Sequence, residues 1–341
     1  MIISDMPLRL SHPTTSALLL LDFAATQGVA PEDVLRGSRW TATSLAAAGA
    51  EISGSEELHL IANTVTALGD RPGLGLELGV RYHLTAYGIW GFALMSAPTM
   101  RAAFETGLRY LDLTYSYLDI RLSCVGNEAS LGFDASELPP ALRRFLIERD
   151  LAAIATIQRE LFVQSLLPRR IELALPAPAS VELYVRWLGI APQFGATANR
   201  VIFDAQALEQ PLPQASPLAA QLAEAQCRQL LSQRRARSGL AAQVRDTLLR
   251  HVGGRLPDIE TVAAELQLTS RTLRRKLTAE GTSYRALLEE LRQTLAEALL
   301  GTAGMKVAEV ASRLGYAESA SFLHARKRWR TQNPSRPASV T

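Results

Sequence analysis

The stretch IETVAAEL at 259–266 returns 48 positions later as VAEVASRL at 307–314. In both copies the apolar residues fall at i, i+3, i+4 and i+7: Ile259, Val262, Ala263 and Leu266, then Val307, Val310, Ala311 and Leu314. That spacing makes a short helix with one apolar face, too small to be buried on its own. After a brief turn each copy runs into a second helix with a large apolar anchor, Leu273 in the first and Phe322 in the second. Short amphipathic helix, tight turn, second helix is the helix-turn-helix pattern, and repetition at a fixed interval predicts two such units, at about 258–280 and 306–330. Between them SYRALLEELRQTLAEALL (283–300) places Tyr284, Leu287, Leu288, Leu291, Leu295 and Ala298 on one stripe. It predicts a connecting helix of about 18 residues, roughly 27 Å long. Such a helix can hold two reading helices about one DNA turn apart, roughly 34 Å.

The charge distribution agrees. Residues 1–227 hold 16 Lys and Arg against 23 Asp and Glu, whereas residues 228–341 hold 20 against 10. A net charge of +3 thus hides an acidic first half and a basic second half that contains all three lysines, Lys276, Lys306 and Lys327. Such a split points to a polyanion-binding module attached to a weakly acidic partner. In LTSRTLRRKLTAEG (268–281), a turn of about 100° per residue gathers Arg271, Arg274, Arg275 and Thr278 on one face with Leu273 and Leu277 nearly opposite. Asp258 and Thr269 stand where N-caps are needed. An arginine fork can pair with O6 and N7 of guanine, worth about 1–3 kcal/mol of discrimination, and the surrounding positive field supplies the salt-sensitive phosphate attraction.

The first half has mixed periodicity. Helical spacing runs through 15–28, 55–69, 99–113 and 140–164; strand-like runs occupy 118–125, 128–134, 170–175 and 199–204, the first two joined by Gly126-Asn127 in a plausible hairpin. EQPLPQASPLAAQ (209–221) marks the boundary, with a partly helical linker over 211–238. The expected fold is an α+β domain over 1–210, followed by an all-α DNA-binding domain over 239–337 with two helix-turn-helix units joined by a linker helix.

The last hundred residues resemble the DNA-binding domain of the AraC/XylS family of bacterial transcription regulators. The resemblance rests on residues 259–292 and on VAEVASRLGYAESASFLHARKRWRTQNPSRP (307–337), with the Leu-Gly-Tyr turn at 314–316 and Lys-Arg-Trp at 327–329. The first half resembles the sensor domain of the group that contains ornithine-utilisation regulators, through residues 18–38, 73–113 and 199–208. The resemblance implies DNA contacts from Thr269, Arg271, Thr272, Arg274 and Arg275 in the first unit, and from Ser319, Ser321, His324, Lys327 and Arg328 in the second. It also implies a small-molecule effector, a homodimer and an activator's role through RNA polymerase; the cytoplasmic place expected comes instead from the two lone cysteines and the lack of a secretory signal pattern. The second unit departs from the family pattern. Ala317 stands where a capping Ser is usual, Leu323-His324 where Ser-Arg is usual, Arg326 at a core Phe position and Thr331 at a Gly. Arg326 corresponds to Leu277 of the first copy, so it must snorkel, pair or displace its helix. Fewer bases are expected to be read there.

For the effector, YHLTAYGIWGF (82–92) packs Tyr82, His83, Tyr87 and Trp90 around two glycines, and Tyr115 joins them, with Tyr117 and Arg121 as further polar candidates. Aromatic and glycine density suits a ligand pocket and an aromatic core alike. Residues 146–167 have more apolar surface than one helix face needs, for interior burial or a dimer face. The five histidines show no metal-ligand spacing, and neither a nucleophile elbow nor a phosphate loop occurs. GLGLELG (73–79) has the wrong glycine spacing for a dinucleotide fingerprint and reads as a helix start. Cys124 and Cys227 form no paired motif, and ALLLLDF (17–23) is too short to span a bilayer. The expectation is a non-enzyme without cofactor or metal, its main rival a nonspecific DNA-binding scaffold protein.

Overall fold

The structure, a computed structural model, describes residues 11–162, 167–237, 239–251, 256–301, 305–316 and 318–332. The chain divides between Arg235 and Ala236 into two compact units.

The first unit opens with β1 (His12–Pro13), α1 (Thr15–Thr26), α2 (Pro31–Val34), α3 (Ala42–Leu45), β2 (Glu51–Ile52), which pairs with β1, and α4 (Gly54–Leu68). Helix α4 starts where Ser53 and Glu56 cap each other reciprocally, each side chain accepting the other's backbone N–H. Three shorter helices follow: α5 (Leu74–Gly79), α6 (Ile89–Met95) and α7 (Met100–Arg109). The expected hairpin is present as β3 (Asp119–Val125) and β4 (Glu128–Asp134), antiparallel with Asp119 opposite Asp134, and Gly126 takes the positive φ of 57° that its turn requires. Then come α8 (Pro140–Leu161), β5 (Arg170–Leu173), α9 (Glu182–Leu188), β6 (Gln193–Phe194) and β7 (Asn199–Asp204). One mixed sheet in the order β3-β4-β7-β5-β6 results, parallel only between β5 and β6.

Helix α8 organises this unit. Proline at its first turn suits the helix start, and its 22 residues are buried nearly all round, from Leu142 and Phe145 to Ile157 and Leu161. The surplus apolar surface of this segment is therefore spent inside the unit. The part of that reading at 163–166 lies outside the described residues. Helix α5 lies against α8 at a distance only glycine permits. A Cβ on Gly75 would stand 2.1 Å from the Phe145 carbonyl oxygen, and one on Gly79 2.3 Å from that of Arg149. GLGLELG thus provides a helix start and a contact surface.

The stretch expected as a linker over 211–238 is largely α10 (Pro217–Arg237). Its Ala223, Cys227 and Leu231 are buried in a cluster with Trp90, Leu94 and Ile157. The first unit accordingly runs on to Arg235, because α10 has an apolar stripe that the periodicity of its Arg/Gln-rich surface masks.

The second unit contains α11 (Leu240–Arg250), α12 (Ile259–Glu265), α13 (Ser270–Ala279), α14 (Tyr284–Gly301), α15 (Val307–Arg313) and α16 (Ser319–Gln332). Both repeats bury most of the residues their spacing selects, with Leu266 and Val307 half-buried at the core edges. Ile259, Val262, Ala263, Leu273 and Leu277 share one core with Val244 and Leu248 of α11. Val310, Ala311, Leu314 and Phe322 form the other. Helix α14 serves both: Leu287 and Leu291 enter the first core, Ala296 the second, and Leu295 packs against each. The side chain of Ala298, also expected on this stripe, lies outside the described residues.

The repeat extends to backbone conformation. Gln267, in the turn between α12 and α13, has φ +56°, and Gly315, 48 positions later, has φ +79°. Glycine adopts this region freely, whereas another residue incurs about 1 kcal/mol or more. Gln267→Gly is therefore expected to hold or raise the thermal unfolding midpoint of the chain, and Gly315→Val to lower it. Calorimetry of the two variants beside the parent checks the ordering.

Candidate functional site

The arginine helix of the second unit is α13. Thr269 caps it, its hydroxyl accepting the Thr272 N–H at 3.2 Å, and Asp258 likewise caps α12 by accepting from Thr261 at 2.9 Å. Leu273 and Leu277 are fully buried, which fixes the rotation of the helix, and Arg271, Arg274 and Arg275 are left exposed on the other side. Arg274 meets Glu260 at 3.4 Å with both side chains more than 60% exposed, a pair that screening makes weak. Among the described residues no carboxylate lies within ion-pair range of Arg271 or Arg275. The helix therefore presents uncommitted guanidinium groups on a rigid support.

In α16 the buried residues are Phe322, Ala325 and Trp329. Ser321, His324, Lys327 and Arg328 are exposed and Ser319 is half-buried. Leu323 is 47% exposed, an uncommon apolar tip on the outer face. Arg326 stands half-buried beside the core while Ala325 and Trp329 fill it. The arginine expected at a core position thus sits at its margin. Trp329 Nε1 donates to Glu289 of α14 at 3.2 Å, and Arg328 pairs with the same carboxylate at 3.5 Å, so Arg328 is partly engaged within the unit. Arg292 of α14 donates to the Leu314 carbonyl at 3.1 Å and lies over the Tyr316 ring. Ala317 and the side chain of Thr331 lie outside the described residues.

In the first unit a cavity of about 80 Å³ opens among α6, α7, α8 and the segment before β3. A single water needs roughly 10–15 Å³, so the space suits a small organic molecule. Four of the five aromatic and histidine candidates line it: Tyr82, Tyr87, Trp90 and Tyr115. Tyr87 is at the centre of the group, its ring 5.0 Å from Trp90, 5.4 Å from Tyr115 and 6.3 Å from Tyr82. The outer ends of three are fixed by hydrogen bonds, Tyr82 to Ser16 at 2.7 Å, Tyr115 to the Ala86 carbonyl at 2.8 Å and Trp90 to the Gly107 carbonyl at 3.1 Å. Burial pushes the pKa of all three tyrosines upward, so each keeps its hydroxyl proton.

The fifth candidate, His83, does not line the cavity. Its side chain is 58% exposed and held by Glu160, whose other oxygen accepts the Leu84 N–H at 2.8 Å. Tyr117 is buried but elsewhere, donating to Glu57 at 2.5 Å, and Arg121 is exposed and paired with Asp119. Adjacency in sequence misled here: Tyr82 and His83 stand on opposite sides of one backbone.

Polar residues the sequence reading passed over also line the cavity: Arg149, Asp150 and Gln158, with Thr114 and Ser116. Glu148, Arg149 and Asp150 are consecutive on α8 and all buried. Glu148 accepts from the N–H groups of Gly73 and Gly75 at 3.0 and 3.1 Å, and from Tyr184. Arg149 Nε donates to Asp150 at 2.9 Å and Nη2 to the Tyr115 carbonyl at 2.7 Å; Ser116 donates to Asp150 at 2.5 Å. Three charges in a row cannot share one solvated face of a helix, and that run inside an apolar helix was the available signal.

Nearby, Glu57 is buried with His12 at 2.9 Å. Burial alone would raise its pKa; His12 and Arg149 outweigh this and hold it down at about 2. No described helix is long and apolar enough to cross a membrane, and no described group of three His, Cys, Asp or Glu could hold a metal ion.

Two sequence families match this chain. One, described as the arabinose-binding domain of AraC transcription regulator, N-term, matches residues 28–212, and a helix-turn-helix domain matches 262–337. An uncharacterised HTH-type transcriptional regulator of Mycobacterium tuberculosis is 35% identical over 333 residues, 96% of each chain. The ornithine utilization regulator of Pseudomonas aeruginosa is 30% identical over 323 residues, 95% of each. Among solved structures, the transcriptional regulator CdpR from Pseudomonas aeruginosa is 26% identical with a TM-score of 0.47, covering 93% of this chain and 96% of its own.

A carboxyl group held below its ordinary value, near 4.5, contributes stability that is fully present above that value and disappears as pH falls toward 2. Acid unfolding of the first unit is therefore expected to begin below about pH 4.5, with Glu57→Gln flattening that limb. Circular dichroism melts from pH 7 to pH 2.5 measure both curves; an unchanged acid limb in the variant would assign it to other carboxylates.

Proposed function

The chain belongs to the AraC family of transcription regulators, and from that premise we propose that it is a sequence-specific regulator of promoter DNA, controlled by a small molecule received in its first unit. The observation that carries the DNA half is the commitment of α13: two leucines wholly buried, three arginines exposed opposite them, and a capped N-terminus. A recognition helix lies in the major groove with its N-terminal residues at base edges, and Arg271, Arg274 and Arg275 occupy the first two turns. Thr269 and Thr272, at the helix start, are suited to phosphate oxygens. In α16 the residues assigned to DNA are Ser319, Ser321, His324, Lys327 and Arg328, a weaker set for guanine. Most sequence discrimination is accordingly assigned to the first unit and a larger phosphate share to the second.

The aromatic cavity supports the effector half. Its walls are largely apolar with a few fixed polar groups, the composition of small-molecule sites. The remaining parts of this reading, a homodimer that activates transcription through RNA polymerase, rest on the family alone.

Fluorescence anisotropy with duplexes from upstream of the gene and its neighbours, titrated beside a scrambled duplex across a salt series, tests the proposal. A preference of roughly a thousandfold with a steep salt slope is expected. Arg274→Ala is expected to reduce that preference by about tenfold or more and His324→Ala by much less. Equal affinity for all duplexes would favour the nonspecific scaffold reading, and the reverse ranking of the two variants would move the reading helix to the second unit.

A further inference from the structure

Helix α13 ends on an acid. Glu280 follows Ala279, and a carboxylate there opposes the helix dipole, whose negative end lies at the C-terminus. The side chain is exposed, so core packing does not explain it. Its two oxygens instead accept the first N–H groups of α11, Oε1 that of Leu240 and Oε2 that of Ala241, each at 2.9 Å. Those groups have no partner within their own helix, and Gly239 before them has no side chain with which to cap it. Glycine also leaves the room, since a Cβ at 239 would stand 2.8 Å from Glu280 Oε1. A local preference is thus broken at the end of one helix to close the start of another.

The second repeat reaches the same end with other chemistry. Arg326 corresponds to Leu277, so Trp329 corresponds to Glu280. Trp329 donates from Nε1 to Glu289 of α14 at 3.2 Å. At one repeat position, an acceptor in the first unit and a donor in the second each tie the end of a reading helix to a supporting helix. Two unlike side chains in one role point to a constraint on the helix end itself. In the first unit that end bears on DNA. Helix α13 is roughly 15 Å long, and the fully buried Leu273 and Leu277 stand between Arg271 and Glu280. They form a pivot: a tilt that lifts Glu280 from α11 swings Arg271 the other way. A bidentate contact to guanine tolerates little such movement, because hydrogen bonds weaken steeply with distance and angle. Attraction to phosphates acts over a Debye length of about 8–10 Å and tolerates it.

We propose that Glu280 is a positioning residue for base reading. By holding the start of α11 it fixes the tilt of α13, and with it the aim of Arg271, Arg274 and Arg275. This role rests on the sequence-specific reading proposed above and assigns part of its discrimination to a residue that touches no DNA.

Anisotropy titrations of the full chain on its preferred upstream duplex and on the scrambled duplex test it, with Glu280→Ala and Glu280→Gln beside the parent. Amide hydrogen exchange at Leu240 and Ala241 is followed in the same proteins. Glu280→Ala is expected to bind the upstream duplex roughly tenfold more weakly, the share of one arginine contact to guanine. Its affinity for the scrambled duplex is expected to hold, and the two amides to exchange faster. Glu280→Gln keeps one acceptor oxygen, so a smaller loss of the same kind is expected. That variant decides the matter should Glu280→Ala lose its folded circular dichroism spectrum. A residue serving stability alone would cost both duplexes alike, so equal losses overturn the proposal, as does an unchanged preference in the folded variants. Amides that exchange no faster would show that the clamp does not hold in solution, and overturn it too. A parent without preference for any upstream duplex would instead remove the sequence-specific reading, and this role with it.

Discussion

The first unit depends on one interaction made deep in its longest helix, the contact of Arg149 with Asp150 and with the Tyr115 carbonyl. A buried guanidinium is tolerable only when its charge is matched, and removing a partner from such a pair costs about 3–5 kcal/mol. The match here is built across elements that are distant in sequence: α8 supplies both charges, the segment before β3 supplies a carbonyl and the Ser116 hydroxyl, and Tyr82 and Tyr117 supply ring faces. Glu148, one residue earlier, does the same work in another direction by accepting the first N–H groups of α5. The position of the aromatic cavity follows, because Tyr82 leaves the end of α5 while Tyr115 is tied to Arg149 by its own carbonyl.

The second unit is ordered by a different constraint. Each helix pair has too little apolar surface to fold alone, so both share α14, with Leu295 packed against the two cores. Once Leu273 and Leu277 are committed to that core, the arginines of α13 have nowhere to go but outward. Outward presentation is thus a consequence of core packing and needs no separate stabilisation. Electrostatic work can then be done on DNA instead of inside the protein.

This difference explains what the sequence disclosed. The second unit was legible nearly in full, since a 3.6-residue periodicity repeated at a fixed interval is local information; the caps at Asp258 and Thr269 and the 18-residue helix α14 stand where that information puts them. The strands flanking Gly126-Asn127 were legible for the same reason. The short helices α6 and α9, the two-residue strand β6 and the docking of α10 were not, because tertiary burial rather than local pattern selects them. The aromatic candidates were found by density, which located the wall of the cavity and also brought in His83, a neighbour in sequence that faces solvent. Arg149 was missed because a charged residue in a helix reads as surface until a distant partner, here the Tyr115 carbonyl, is known. Arg326 was legible as an anomaly, but its place at the core margin depends on packing.

The two units meet in the chain at α10, and the fixing of that helix bears on control. Arg234, 6% exposed, donates from Nη1 to the carbonyls of Leu113 and Asp112 at 3.1 and 3.5 Å, and Arg235 pairs with the Asp112 carboxylate at 3.0 Å. Those acceptors lie between Leu111 and Thr114, both of which line the cavity. On its other side α10 buries Ala223, Cys227 and Leu231 against Trp90, Leu94 and Ile157, three more lining residues. The lining of the cavity thus shares a short segment and three side chains with the contacts that hold α10. A ligand shifts an equilibrium only by its differential affinity for two states. Under the proposed effector control, the contacts of α10 are where such a difference would be registered, since they share a wall with the cavity.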